Sequence, residues 1–182
     1  MTPVVLLTEL KKFIEVNTKD IILSVRPIKN KTLPGMNDID AGQEPPEGVI
    51  TNRAPEVHNM RLPDKDAETN RIPYILLQLL TGKDEHIPAE QPDSICNIRI
   101  AVATYSEDGG EGAEDLLNVL TRIRVALLKA GEVGKQFLLR KPLEYIVYPD
   151  DTNPYYLGEM LTIWEMPTIT REVHTHGEDY SK

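Results

Sequence analysis

Apolar positions along this chain recur with two periods, and the switches between them mark out its elements. Near the start, Leu6, Leu10, Phe13 and Ile14 repeat at helical spacing, with Val5 or Leu7 alongside. Thr2 as N-cap and Pro3 in the first helical position predict where that helix opens, and Asn17 and Thr18 where it ends. A β-branched run over 21–25 predicts a short strand before Pro27. Residues 56–62 predict another, ending at Pro63. The run IPYILLQLL over 72–80 is apolar and lacks helix caps, so a buried strand is favoured over the helix alternative. The strictest alternation lies over 95–105. There Ile98, Ile100, Val102 and Thr104 fall on one face and Asn97, Arg99, Ala101 and Ala103 on the other, as in a strand of an antiparallel sheet with one covered face.

A second helix is predicted over 113–130, where Leu116, Leu120, Ile123 and Leu127 form a stripe widened by Val119, Ala126 and Ala130. Glu114 and Asp115 suit its first turn, Lys129 its last, and Gly131 its stop. Three strands follow over 137–139, 143–147 and 160–169, separated by Lys141-Pro142 and by a loop over 148–158. Between these elements lie stretches that bury little. Residues 30–54 hold Pro34-Gly35, Gly42, Pro45-Pro46 and Gly48 and read as a long mobile loop. Residues 81–94 read as a polar loop, 107–110 as a turn and 171–182 as a loosely held tail. The order predicts a single α+β domain over 1–182: a largely antiparallel mixed sheet with two main helices packed on one face, and long mobile loops.

Composition narrows the function. The 182 residues carry 29 acids against 20 bases, a net charge of -9. That balance argues against free DNA or RNA as the main partner, because such binding rests on Lys and Arg neutralising phosphates. With one cysteine, Cys96, no intrachain disulfide framework is possible. The opening residues gain charge too soon for a signal peptide, and no apolar run reaches the length of a membrane span, so no membrane partner is expected.

Candidate chemistry is sparse. His174 and His176 form an H-x-H pair, half of a tetrahedral zinc site, with no third ligand at suitable spacing. His58 and His86 stand without a nucleophile motif, and Cys96 opens an apolar strand, the setting of a buried thiol. No phosphate-binding or nucleophile-elbow motif occurs, so neither a cofactor nor catalysis is expected. Glu107, Asp108, Glu111, Glu114 and Asp115 form the densest charge cluster. Its spacing is wrong for a calcium loop and fits a solvated turn leading into a helix, or an acidic contact surface. Arg99, Arg122 and Arg124 would approach one another if strand and helix pack as neighbours. The segment Asp150-Asp151-Thr152-Asn153-Pro154-Tyr155-Tyr156 mixes acids with two tyrosines, either a protein contact or cover for the core edge. Together Glu107, Asp108, Glu111, Asp150, Asp151, Tyr155 and Tyr156 are the candidate protein-contact surface.

One family is suggested by the succession PEVHNMRLPDK, RIPYILLQLLTG, IRIAVATYSEDGGEGAEDLLNVLTRIRVALL and QFLLRKPLEYIVYPDDTNPYYLGEMLTIWEMPTI. A buried PYI strand, an alternating strand ending in Tyr-Ser, a Gly-rich acidic turn, an amphipathic helix, a Pro-Tyr turn and a last strand with Trp164 follow in order. This pattern, over about two-thirds of the chain, resembles the tail-terminator, or tail-completion, proteins of long-tailed bacteriophages and prophages. The resemblance implies a structural protein rather than an enzyme. It implies a ring of identical subunits, usually a hexamer, that caps the tail tube and joins it to the head connector. The partners would then be further copies, the tail-tube protein and the head-connector protein, and the location the neck or tail of the virion, with assembly in the host cytoplasm. Another neck or minor tail subunit is the neighbouring reading. From other classes, a small hydrolase or metal-dependent enzyme using Cys96 or His174/His176, and a small-ligand or regulatory binding domain, share the architecture.

Overall fold

The computed structural model describes residues 2–25, 52–63, 72–85, 93–148 and 153–168. Its frame is a curled mixed sheet of six strands carrying two helices, plus a small two-stranded sheet, an α+β fold. Helix α1 spans Pro3–Thr18 and α2 spans Gly109–Ala130. The strands are β1 (Leu23–Ser24), β2 (Asn52–Arg53), β3 (Glu56–Asn59), β4 (Tyr74–Glu85), β5 (Asp93–Tyr105), β6 (Glu132–Val133), β7 (Phe137–Val147) and β8 (Tyr155–Glu165). The larger sheet runs β3-β4-β5-β8-β7-β6, with β3 parallel to β4 and every other pair antiparallel.

Alternation within the strands sets which face the helices cover. Ile75 pairs with Val102 and Leu77 with Ile100, while Met160 and Trp164 of β8 point the same way. These side chains are buried with Leu6, Leu10 and Ile14 of α1 and with Leu116, Val119, Leu120, Ile123 and Leu127 of α2 in one apolar cluster. Each fully buried leucine or isoleucine contributes roughly 1.5–3 kcal/mol, so the α2 stripe supplies much of the attraction between that helix and the sheet. Gly131 ends α2 in the left-handed region (φ +68), its N–H donating to the Leu127 carbonyl at 2.9 Å. At the other end of the chain Thr2 caps α1 by its backbone alone, accepting from the Val5 N–H at 3.0 Å without a side-chain bond.

Several boundaries differ from the sequence expectations. The strand expected over 21–25 shrinks to β1, which pairs with β2; β2 itself lies inside the stretch read as a loop over 30–54. Residues 30–51 of that loop lie outside the described residues, as does the tail over 171–182. The polar loop over 81–94 is in part strand: β4 and β5 continue past a register shift at Leu79/Thr81 to pair Glu85 with Asp93. Polar side chains are tolerated there because cross-strand partners exist, Asn97 donating to Thr81 Oγ1 at 2.7 Å and Ser94 to Asp84 Oδ1 at 2.5 Å. Lys141-Pro142 interrupts nothing. It sits in an irregularity between Arg140 and Glu144 within one continuous strand, β7, where a proline costs no ladder bond. The short β6 was not expected; Lys135, with positive φ, turns it tightly back into β7.

Candidate functional site

The acidic cluster is built into the start of α2, which opens four residues earlier than its apolar stripe predicts. The expected turn at Gly109-Gly110 is already helix, because Asp108 caps it: Asp108 Oδ1 accepts from the Glu111 N–H at 3.2 Å, and Ser106 Oγ accepts from the Asp108 N–H at 3.2 Å. Glu107 accepts from the Tyr105 hydroxyl at 2.8 Å. Glu111, Glu114 and Asp115 have no ion-pair partner among the described residues. Burial, and after it the neighbouring Glu114 carboxylate, raise the Asp115 pKa.

Tyr155 and Tyr156 are not in a loop but form the first residues of β8, opposite Tyr105 and Thr104. Adjacent strand positions face opposite ways, so the two rings separate. Tyr155 meets Tyr105 with centroids 5.7 Å apart, while Tyr156 packs on the core side against Gly112 of α2. Tyr156 therefore covers the core edge. Asp150, Asp151, His86, His174 and His176 lie outside the described residues.

The three arginines do not cluster. Arg99 faces away from the helices, where Gln78 Oε1 accepts from its Nε at 3.0 Å and Glu159 lies 3.5 Å away. Arg122 pairs with Asp20 at 2.7 Å. Arg124 stands over the Tyr145 ring, 5.5 Å from its centroid, with no carboxylate partner among the described residues and its buried Nε lacking an acceptor. Cys96 is buried on the helix side of β5, and burial, then the Asp84 carboxylate, push its thiol pKa up. That is the opposite of an activated nucleophile. His58 lines a cleft of about 420 Å³ between α1 and β3 with Lys11, Glu15, Lys19 and Glu56. Lys11 pairs with Glu15 at 3.7 Å along its α1 wall, and Glu56 pairs with His58 and with Arg53 beside the cleft. Among the described residues no three His, Cys, Asp or Glu side chains are grouped to hold a metal, and no helix is long and apolar enough to cross a membrane.

One further surface was not singled out from the sequence. It is the outer edge of β7, which β6 covers only at Phe137 and Leu138; beyond the Leu139 N–H, bonded to Gly131 O, no strand pairs with it among the described residues. Register with β8 turns Tyr145 and Val147 toward the helix side and Ile146 to the opposite side, and all three are exposed, as is Tyr148. Leu117 and Leu128 on the neighbouring flank of α2 are exposed as well. The run Tyr145-Ile146-Val147-Tyr148, apolar at both parities, was the available signal: such a run belongs to a strand covered on both faces. Neither protein-family models nor curated proteins give a match to this chain.

Proposed function

We propose that the chain is a tail-terminator protein of a long-tailed phage or prophage, a structural subunit that forms a ring, a hexamer, on the finished tail tube and joins it to the head connector. The observation that carries this reading is the order of its segments. The stretches that resemble the family fall on β3, β4, β5 with α2, and β7 with β8, consecutive parts of one helix-backed sheet. A ring of identical subunits needs two different lateral surfaces that complement each other, and end surfaces for other proteins. A strand edge uncovered among the described residues, an exposed apolar flank and an acidic helix start supply chemically distinct surfaces of that kind. A buried Cys96 with a raised pKa favours this structural role over a thiol enzyme.

Electron microscopy of the purified chain, alone and mixed with the tail-tube protein of the same phage, tests the proposal. Rings in the mixture, seated on tube ends, are expected. Tubes that grow without limit and carry no density at their ends in the presence of excess chain would remove it.

A further inference from the structure

More than half of the large apolar side chains exposed among the described residues lie on α2, on β7 or at Tyr148 just beyond it. Those on the helix side of β7 and the facing flank of α2 lie together. Leu117 and Leu128 are eleven residues apart on one flank of α2, and Arg124 of that flank rests on Tyr145, so helix flank and strand edge are continuous. An apolar edge strand with free backbone groups is a template for another chain unless something covers it.

Charge says what kind of chain. Residues 107–115 hold acids and no base, and residues 116–131 hold bases and no acid. Each half keeps charges unpaired among the described residues: Glu111, Glu114 and Asp115 at the start, Arg124 at the strand edge. Two copies meeting β7 to β7 would bring Arg124 toward Arg124 with no acid on that side of β7 among the described residues, since Glu144 faces away from α2 with Leu161. A copy that instead offers its acidic helix start gives Arg124 a carboxylate and relieves the crowding of Glu114 and Asp115. Such a contact is heterologous, joining two different surfaces of the same chain.

We infer that the β7 edge and the adjoining flank of α2 are one half of a seam between copies of this chain, and that the acidic start of α2 of the next copy is the other half. The inference deepens the ring reading and rests on it for the premise that copies associate. Arg124 anchors the seam by charge, while Leu117, Leu128, Tyr145 and Val147 supply the apolar area.

The test is sedimentation velocity of the full chain at its highest soluble concentration, with three variants: Arg124→Glu, Glu114→Lys/Asp115→Lys, and the milder Arg124→Gln. Circular dichroism first confirms that each variant melts like the wild type; if Arg124→Glu does not fold, Arg124→Gln decides. Association of the wild type that weakens with salt is expected, and reversal at either half should weaken it at least about tenfold, with a smaller loss for Arg124→Gln. Mixing Arg124→Glu with Glu114→Lys/Asp115→Lys should restore association, because both alternating seams are again complementary; an even-membered ring then closes. A wild type that stays monomeric, single variants that associate as it does, or a mixture that fails to recover would each overturn the seam. Rings on tube ends with an unaffected Arg124→Glu variant would sink the seam and leave the terminator reading. Rescue by mixing, without any effect on tubes, would do the reverse.

Discussion

The ring of Tyr156 occupies the space that a side chain at Gly112 would need: a Cβ there would lie 2.1 Å from Cε2 and 2.6 Å from Cδ2. This contact locks the first turn of α2 to the start of β8 and ties the acidic helix start to the sheet. Gly112→Ala gains up to about 1 kcal/mol of helix propensity but forces the ring aside, an overpacking that costs roughly 1–3 kcal/mol. We expect a net loss of stability in urea unfolding. In a Tyr156→Ala background the same substitution should become neutral or stabilising.

Trp164 is fully buried, and its Nε1–H donates to Thr162 Oγ1 at 2.9 Å while that hydroxyl donates to the Ile98 carbonyl at 3.0 Å. Thr162→Val keeps the shape and removes the acceptor, leaving an indole N–H buried without a partner. The expected cost is about 1–3 kcal/mol. As the chain has one tryptophan, denaturant unfolding followed by its fluorescence reads the loss at its source. Thr162→Ser should retain the hydrogen bonds and lose less.

Burial first, and the Asp84 carboxylate second, raise the Cys96 thiol pKa in the folded chain. The unfolded chain therefore gives up that proton at lower pH than the folded one. Stability from this group is present in full below the ordinary thiol pKa, roughly 8.5, and is lost as pH rises through the folded value. Cys96→Ala should flatten the alkaline fall in stability, seen by comparing unfolding midpoints across that range. Correspondingly, a thiol reagent should label the native chain far more slowly than the unfolded one.

How much of this was legible beforehand depends on what each feature rests upon. Helix α2 was readable because Leu116, Leu120, Ile123 and Leu127 carry a period, and β5 because Ile98, Ile100 and Val102 do. Its true start was not, because the glycines at 109 and 110 argue for a turn and the cap at Asp108 is a matter of geometry. Polar strand ends such as Asp84 and Ser94 were hidden for a related reason: their stability comes from cross-strand partners, which a local pattern does not contain. The acidic residues of the candidate surface were visible as a cluster, but their division between a cap, a Tyr105 partner and carboxylates unpaired among the described residues required the fold. The exposed edge of β7 is a topological fact. Nothing in Tyr145-Ile146-Val147-Tyr148 says that β6 stops at Val133 and that no other strand among the described residues covers it.

If the chain ends tail tubes and joins them to heads, as proposed above, its loss must show in the particles. Deleting its gene from the intact phage or prophage and measuring tail lengths in the particles by electron microscopy tests it most directly. Tubes of unregulated length that remain unattached to filled heads are expected, corrected by supplying the chain in trans. Tails of normal length joined to heads in the deletion strain would contradict it.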